Sequence, residues 1–308
     1  GIRDSVASRG LGDVYKRQGV HSGDSTAVLP PFSINKKIIN EIEQKSIQLA
    51  KALNVKGLLN IQFAVKEGTL YILEANPRAS RTMPFVAKVT GNQIIKAGTL
   101  LMLGHSLDFV KKETDYLDGS TKKIAIKKAI FPWSRFPAED TMLGPEMKAT
   151  GEVLGIGSNF GTALNKAYAA AGVLINKKQK GVFISLSDKE KPNFVEIAKN
   201  YSELGFKIFA TEGTGAYLGK HNISSTIVGR ANDKSPTSLT IIQENLVSLV
   251  INTPTFANEY TDGWKIRRLS HETGVAVVSS VREAEAFLEA FLLQEKVLDD
   301  MEAIQNVS

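Results

Sequence analysis

Strand and helix patterns alternate regularly beyond residue 180, and this alternation constrains the fold more than any other feature of the 308-residue chain. Runs rich in branched and aromatic residues predict strands over 181–187, 206–210, 225–228, 246–252 and 275–278, and amphipathic stretches predict helices over 192–204, 215–220 and 283–293. Strands that are joined through helices form a parallel, Rossmann-like sheet. Ligands of such sheets bind at the carboxyl ends of the strands.

The earlier residues have a different, mixed pattern. The expected elements are a helix from a cap at Ser33 to about Leu53, strands over 58–65, 69–73 and 124–132, and a mostly helical stretch over 85–115. A charged segment at 176–180 follows a helix over 163–171 and is the best candidate for a domain boundary. We therefore predict an α/β protein, with an α+β domain over 19–175 and a parallel-sheet domain over 180–308.

Residues 1–18 are set aside from the fold. They have neither helical nor strand periodicity, no starting Met and an abrupt junction with Gly19. We expect this segment to be non-native, a translated read-through at the end of an assembled sequence, and a flexible native tail is the alternative.

The composition excludes several classes of protein. The chain has no cysteine, which excludes disulfides, thiolate metal sites and a cysteine nucleophile. No apolar run approaches the ~18 residues that span a bilayer, and no signal-peptide core is present, so we expect a cytoplasmic protein without membrane contact. The formal charge of +6 comes without a stripe of basic and aromatic residues, so nucleic-acid binding is not expected.

The segment 57–85 carries the strongest candidates for chemistry. Gln62 lies on the polar side of the first predicted strand, and Glu74, Asn76, Arg78 and Arg81 end or follow the second. Amide and carboxylate oxygens suit Mg²⁺, which usually shares its remaining coordination with phosphate. Arginines beside such a site can neutralise the charge that shifts during phosphoryl transfer.

This metal interpretation depends on the register of the hairpin. A three-residue loop over 66–68 would place Asn60 opposite Glu74 and would put Gln62 and Glu74 on one face. A two-residue loop would put them on opposite faces, because a one-residue slip turns side chains over. The alternative is a hairpin whose polar face is only solvated, with Arg78 and Arg81 as surface charges.

Two loops after the first strands of the parallel sheet are candidate phosphate sites. The loop from Ser185 to Lys191 follows the first strand, and the loop from Thr211 to Thr214 follows the second. Each would place the N–H groups and positive dipole end of a helix beside the Lys191 ammonium and two threonine hydroxyls. Ordinary helix caps would have a similar sequence.

Two glycine-rich stretches are rejected as nucleotide motifs. Residues 155–161 have the spacing G-x-G-x-x-x-G, and no strand of the right type is expected before them. Residues 213–220 do not have the P-loop spacing.

Several motifs resemble a known family. Glu-Ala-Asn-Pro-Arg at 74–78, twelve residues after Gln62, is similar to the metal-binding hairpin of ATP-grasp ligases. With Ala-Ser-Arg-Thr at 79–82 and Pro-Phe at 84–85, it resembles the carbamoyl-phosphate synthases, as do residues 143–147 and 150–153. Gly-Val-His-Ser-Gly-Asp at 19–24 is similar to a motif that contacts the adenosine of ATP in that family.

This resemblance, over residue 19 to about 287, implies a set of site residues. Mg²⁺ or Mn²⁺ would bind Gln62, Glu74 and Asn76, and Arg78 and Arg81 would be catalytic; K⁺ is a candidate further ion. ATP, as a substrate, would contact Gly19, Val20, His21, Ser22, Gln62 and Glu74.

The second domain resembles the methylglyoxal-synthase-like domain that regulates these synthases, through Ser-Leu-Ser-Asp-Lys at 185–189 and Thr-Glu-Gly-Thr at 211–214. A UMP- or IMP-type effector would then bind Ser185, Lys191, Thr211, Thr214, Arg230 and Asn252. Arg230 stands where the family usually has lysine, and Pro254 replaces a hydroxyl residue. Val277 and Lys128 replace residues that contact ornithine, so we expect nucleotide control and not ornithine activation.

The resemblance implies an ATP-dependent carbon–nitrogen ligase. The whole enzyme would make carbamoyl phosphate, for pyrimidine and arginine biosynthesis, from bicarbonate, two ATP and ammonia supplied by a glutamine amidotransferase small subunit. The ATP-grasp unit here would phosphorylate carbamate, and an oligomer of heterodimers is a further expectation. The phosphate-covering loop and much of the adenine pocket would lie in a preceding half, so we expect residues 1–308 alone to have no synthase activity.

Two alternatives remain. The chain could be a non-catalytic, nucleotide-binding regulatory module. An enzyme of methylglyoxal synthase or inosinate cyclohydrolase type is not favoured, because His221 and His271, the histidines of residues 180–308, lie outside both phosphate loops.

Overall fold

The described part of the protein, in a computed structural model, contains two β-sheets and a separate β-hairpin. The structure describes residues 20–31, 34–114, 123–136, 141–144, 146–173, 179–234, 236–253 and 261–293. The predicted artefact over 1–18, Gly19, the Ser33 cap, Pro254 and most of the predicted boundary at 176–180 lie outside these residues. No described helix is both long and apolar enough to cross a lipid bilayer.

The first part of the chain contains a three-stranded antiparallel sheet, a hairpin and several helices. Its elements are β1 (Ala27–Leu29), α1 (Lys36–Ala52), β2 (Asn60–Lys66), β3 (Thr69–Asn76), α2 (Thr82–Thr90), α3 (Ile94–Met102), α4 (Leu107–Glu113), β4 (Ile124–Ile130), β5 (Gly151–Gly157) and α5 (Phe160–Ala170). The sheet has the order β1-β4-β5, and β2 pairs with β3 alone. Helix α1 begins after Asn35, whose side chain accepts a hydrogen bond from the Ile38 N–H.

The second part is a parallel sheet between helices, as its sequence pattern predicts. Its elements are β6 (Gly181–Ser185), α6 (Lys191–Glu203), β7 (Lys207–Ala210), α7 (Glu212–Gly219), β8 (Thr226–Ile227), α8 (Ser238–Gln243), β9 (Leu249–Asn252), α9 (Asp262–Thr273), β10 (Ala276–Val278) and α10 (Val281–Leu293). The strand order is β10-β9-β6-β7-β8, and every pairing is parallel. The chain leaves β6 toward β7 on one side and returns to β9 on the other, so the topology switches between β6 and β9.

The largest apolar cluster draws residues from both sides of the predicted boundary. Ala163, Ala167 and Tyr168 of α5 pack with strand residues of the parallel sheet and with Phe287 of α10. The rings of Tyr168 and Phe287 meet edge to face, with centroids 5.4 Å apart. The two parts are therefore packed against each other through α5 and α10.

Two glycines of β5 allow α5 to lie directly on this strand. A Cβ on Gly155 would lie 2.1 Å from the Ala163 carbonyl oxygen and 2.5 Å from the Ala167 nitrogen. A Cβ on Gly157 would meet the Ala163 nitrogen at 2.7 Å. A strand, a turn and a helix do follow one another here, although no strand was predicted over 151–157. β5 is antiparallel to β4, however, and its glycines contact helix backbone and serve packing.

Sequence patterns missed four elements. β1, β5, α8 and α9 were not predicted. α5 and α7 each begin three residues earlier than expected. Signals for α9 were present: Thr261 caps it by accepting from the Trp264 N–H, and Gly274 ends it in the left-handed conformation, with φ of 75°.

Candidate functional site

The β2–β3 hairpin has a two-residue turn, so the predicted three-residue loop was wrong. Lys66 pairs with Thr69, and Glu67 and Gly68 occupy the left-handed region with φ of 51° and 76°. A register shift between Gln62 and Phe63 then inserts one extra residue in β3. On the side of this β-bulge away from the turn, each β2 residue therefore pairs with a β3 residue one position later than the turn alone would give.

Because of the bulge, the predicted ligands share one face after all. Gln62 lies directly opposite Glu74, and Asn60 lies opposite Asn76. Directly paired residues point to the same side of a ladder, and residues two apart on one strand do the same. The Asn76 side-chain amide donates to Oε1 of Glu74 at 3.0 Å, which draws the two together.

The donor set fits a hard divalent cation. Gln62 and Asn76 offer amide oxygens and Glu74 a carboxylate, which are the ligand types that Mg²⁺ and Mn²⁺ accept. Among the described residues, no cluster of three or more His, Cys, Asp or Glu could hold a metal ion. One carboxylate leaves half of the cation's charge uncompensated, so a partner anion such as phosphate would have to complete the site.

Two arginines follow the hairpin, where the sequence places them. Nη1 of Arg78, an exposed side chain, donates to the Ala79 carbonyl at 2.9 Å. Arg81 is the N-cap residue of α2, and its Nη1 lies 3.4 Å from the Ala149 carbonyl oxygen. The hydroxyl of Ser80, between them, is buried without a hydrogen-bond partner in the described structure.

The turn over 20–24 is held by the segment that leads into β5. Asp24 is 3% exposed, and its carboxylate accepts from the backbone N–H groups of Lys148 at 2.8 Å and Ala149 at 2.9 Å. Arg81 and this turn therefore both contact Ala149, which connects the hairpin arginine with the turn.

The residues of that turn predicted to contact ATP are open to solvent. Val20 is 44% exposed, Ser22 is exposed and His21 is half-buried. Nδ1 of His21 accepts from the Gly23 N–H at 3.0 Å, so the proton of the neutral ring lies on Nε2. His21 can therefore donate from Nε2 to a ligand.

In the parallel sheet, two of the predicted phosphate residues, Ser185 and Asn252, lie at the topological switch. Ser185 ends β6, Asn252 ends β9, and the two are paired in register. Thr211 precedes α7 directly after β7. Residues that end neighbouring parallel strands lie at the same sheet edge, and the point where strand order reverses is where such folds bind ligands.

The two predicted loops meet at this edge. The Leu186 N–H donates to Oγ1 of Thr214 at 3.1 Å, and Oγ1 of Thr211 donates to the same atom at 3.1 Å. A Cβ on Gly213 would lie 3.5 Å from the Lys191 ammonium, so this cation lies at the first turn of α7. The Lys191 ammonium also contacts Asp188 at 2.5 Å.

Arg230 is placed less closely. It follows β8, the edge strand, and its backbone N–H donates to the Asp233 carboxylate at 2.7 Å. Among the described residues, no side-chain hydrogen bond or ion pair joins Arg230 to the two loops.

A cavity of about 630 Å³ lies between the two parts of the chain. Lys128, Tyr168, Arg267, His271, Val277 and Glu283 are among its lining residues. The Lys128 ammonium lies 4.3 Å from the centroid of the Tyr168 ring and 4.0 Å from the Glu283 carboxylate. Burial lowers the pKa of Lys128, which Glu283 partly opposes, and burial together with Glu283 and Tyr201 raises the pKa of Tyr168.

Lys128 and Val277, on which the expectation about ornithine rests, both line this cavity. That expectation stays a prediction.

The sequence interpretation missed Arg267 and Thr253, which support the switch-point residues. Arg267 donates to the Asn252 side chain at 2.7 Å, and Oγ1 of Thr253 accepts from the Ser187 N–H at 2.9 Å. Arg267 lies on α9, an element that was not predicted, so its position beside β9 could not be inferred.

Two family models match the chain. The model described as "Carbamoyl-phosphate synthase L chain, ATP binding domain" matches residues 11–110, and the "MGS-like domain" model matches residues 193–279. The first match includes the last eight residues of segment 1–18, whose origin stays a prediction.

Curated relatives match over most of the chain. It is 40% identical over 295 residues to "Carbamoyl phosphate synthase large chain, C-terminal section" of Aquifex aeolicus, covering 92% of this chain and 55% of that protein. It is 39% identical to the equivalent section of Methanocaldococcus jannaschii, covering 93% and 48%. It is 43% identical to the "Carbamoyl phosphate synthase large chain" of Archaeoglobus fulgidus, covering 93% and 26%. The chain thus spans about half the length of the two C-terminal sections and about a quarter of that large chain.

The fold and these matches define a class of protein in which residues of an ATP-binding ligase domain precede a methylglyoxal-synthase-like domain. The chain belongs to the carbamoyl phosphate synthase large-chain family and matches its C-terminal section.

Proposed function

We propose that the hairpin site serves the ATP-dependent phosphorylation of carbamate within a carbamoyl-phosphate synthase. The observation that carries the proposal is the shared face of Gln62, Glu74 and Asn76, followed directly by Arg78 and Arg81. A surface of amide and carboxylate oxygens beside two guanidinium groups fits a metal-bound triphosphate.

In this proposal, a carbamate oxygen forms a bond to the γ-phosphorus of ATP. The bond between that phosphorus and the β–γ bridging oxygen breaks, which gives carbamoyl phosphate and ADP. Gln62, Glu74 and Asn76 would hold Mg²⁺ or Mn²⁺, which supplies charge compensation for the phosphates when bound. Arg78 and Arg81 would hold carbamate and the transferred phosphoryl group, and His21 would donate to the nucleotide from Nε2.

This chemistry needs no nucleophilic side chain. Positioning and charge neutralisation provide most of the rate enhancement in phosphoryl transfer. The glutamine amidotransferase subunit as ammonia source, the assembly of heterodimers, the K⁺ requirement and the inactivity of residues 1–308 alone remain parts of the proposal.

Titration of Mn²⁺ and ATP into the 308-residue chain tests the metal site. We expect Glu74→Gln to weaken Mn²⁺-dependent ATP binding by at least about tenfold, or about 1.4 kcal/mol. Glu67→Gln, in the exposed turn of the same hairpin, is the matched control and should bind as the unchanged chain does. Equal binding by both variants would rule out Glu74 as a ligand.

A second proposed function is nucleotide monophosphate binding at the switch point. The register pairing of Ser185 with Asn252, with Thr211, Thr214 and Lys191 on the adjoining loops, supports it. Calorimetry with UMP, IMP and inorganic phosphate tests it, and Thr214→Val should abolish measurable binding. A chain that binds none of these ligands would contradict this function without affecting the hairpin site.

A further inference from the structure

Arg267 is a buried cation beside the proposed phosphate site. The side chain is 3% exposed, and its Nη1 donates to Oδ1 of Asn252 at 2.7 Å. Asn252 is itself 4% exposed and ends β9 at the switch point, opposite Ser185. The hydrogen bond therefore joins α9 to a residue of the site.

This contact determines which way the Asn252 amide is turned. A guanidinium group has five N–H donors and no acceptor, so the amide must present its oxygen to Arg267. The amide nitrogen, with both hydrogens, then points away from the guanidinium. An amide without such a partner can adopt either orientation, and one of them would present an oxygen lone pair to an anion.

The surrounding backbone holds the pair closely. A Cβ on Gly263 would lie 3.0 Å from Nη1 of Arg267 and 3.4 Å from Oδ1 of Asn252, so the first turn of α9 packs directly against them. The next residue of the chain, Thr253, is fixed by the Ser187 N–H. The Asn252 side chain is thus held by Arg267, and the backbone that follows it is held through Thr253.

We propose that Arg267 is a positioning residue of the phosphate site, which turns the Asn252 amide so that it donates to a phosphate group. The inference rests on the proposed nucleotide monophosphate site at the switch point. Arg267 acts through Asn252 in this proposal and does not itself contact the ligand.

A double-mutant cycle on the 308-residue chain tests this role. UMP, IMP and inorganic phosphate are titrated into the unchanged chain, Arg267→Met, Asn252→Ala and the double variant. We expect Arg267→Met to weaken phosphate binding about tenfold, by analogy with the loss of affinity when the partner that orients a metal ligand is removed. In the Asn252→Ala background the same change should have no further effect. A further loss in that background would show that Arg267 acts through its charge and would overturn the proposal.

Arg268→Met is the matched control. Arg268 is 6% exposed on the same helix, but its Nη1 donates to the carbonyls of Trp133 and Phe136, both at 2.9 Å. Its loss should lower thermal stability and leave phosphate affinity unchanged. Equal weakening by Arg267→Met and Arg268→Met would indicate a general structural effect and would contradict positioning.

An NMR readout separates the inference from the function on which it rests. The side-chain NH₂ signals of Asn252 are assigned by their absence in Asn252→Ala. They should shift on phosphate addition in the unchanged chain and in Arg267→Lys, which keeps a donor. They should not shift in Arg267→Met. Binding by the unchanged chain with the same Asn252 shift in Arg267→Met would overturn the positioning role alone. No binding by the unchanged chain would overturn the proposed site and this inference together.

Discussion

Gln62 lies directly opposite Glu74 across the β2–β3 hairpin, in spite of a two-residue turn that would by itself place them on opposite faces. One extra residue in β3 restores the shared face, and the bulge lies at the pair itself. Bulges often occur next to functional sites, where they redirect side chains. The local irregularity thus belongs to the proposed metal site.

We expect Gln62→Leu to weaken Mn²⁺-dependent ATP binding by several-fold, because it removes a neutral oxygen ligand and keeps the side chain's size. The double variant Gln62→Leu/Glu74→Gln should lose less than the two single losses combined, since both residues serve one ion. Calorimetric titration measures these affinities. Thr69→Val, on the same hairpin beside the turn, is the control, and independent losses at Gln62 and Glu74 would argue against a shared ion.

Gly155→Ala should lower the free energy of unfolding by about 1–3 kcal/mol or more, which is the cost of overpacking. The added Cβ would lie 2.1 Å from the Ala163 carbonyl oxygen, and helix backbone cannot move aside as a flexible side chain can. Urea unfolding measures the loss. Gly151→Ala is the control on the same strand, since a Cβ there meets nothing within 4 Å. Similar stability of both variants would contradict the packing role.

Asp24→Asn should cost about 2 kcal/mol of stability, because a charged acceptor of two buried N–H groups is worth more than a neutral one. The replacement amide would also turn an NH₂ group toward one of the donors, Lys148 or Ala149. Thermal unfolding gives the change. Asp188→Asn should shift the midpoint little, because the Asp188 side chain is 95% exposed; an equal shift would show that the two Asp24 hydrogen bonds matter little.

Acid should destabilise the protein partly through His271. Burial, and then the charges of Arg268, Lys128 and Arg267, lower the pKa of His271 to about 4, against about 6.5 for an unfolded chain. Between these values the unfolded chain takes up a proton that the folded chain does not, so stability falls as pH decreases from about 6.5 to about 4. The residue is exposed in part, so the loss should be well below the ~1.4 kcal/mol that a full pKa unit represents.

The measurement compares urea midpoints at pH 7 and pH 5. We expect His271→Asn to lose less stability on acidification than the unchanged chain does. His221→Asn provides the control, since His221 is exposed and its Nδ1 contacts the Tyr217 carbonyl within its own helix end. Identical pH slopes for His271→Asn and the unchanged chain would contradict the prediction.

Structural elements that depend on neighbouring residues in the chain were predictable from the sequence. The strands of the parallel sheet are continuous apolar runs and their helices are amphipathic, so the class of sheet and the loops at Ser185 and Thr211 followed from the chain itself. The hairpin was found, but its bulge was not, because a bulge depends on how both strands pack and has no fixed residue code. The contact between Arg267 and Asn252 joins residues from two elements, and no spacing along the chain encodes it.

The packing of α5 against α10 also limits how the methylglyoxal-synthase-like part can be transplanted. Tyr168 and Phe287 share one apolar cluster, and the Asn165 side chain donates to the Ala290 carbonyl. A chimera that joined residues 180–308 to an unrelated enzyme would leave the α10 surface bare and open to self-association. A graft that begins before α5 would carry its own cover, so the portable unit is larger than the parallel sheet and its helices.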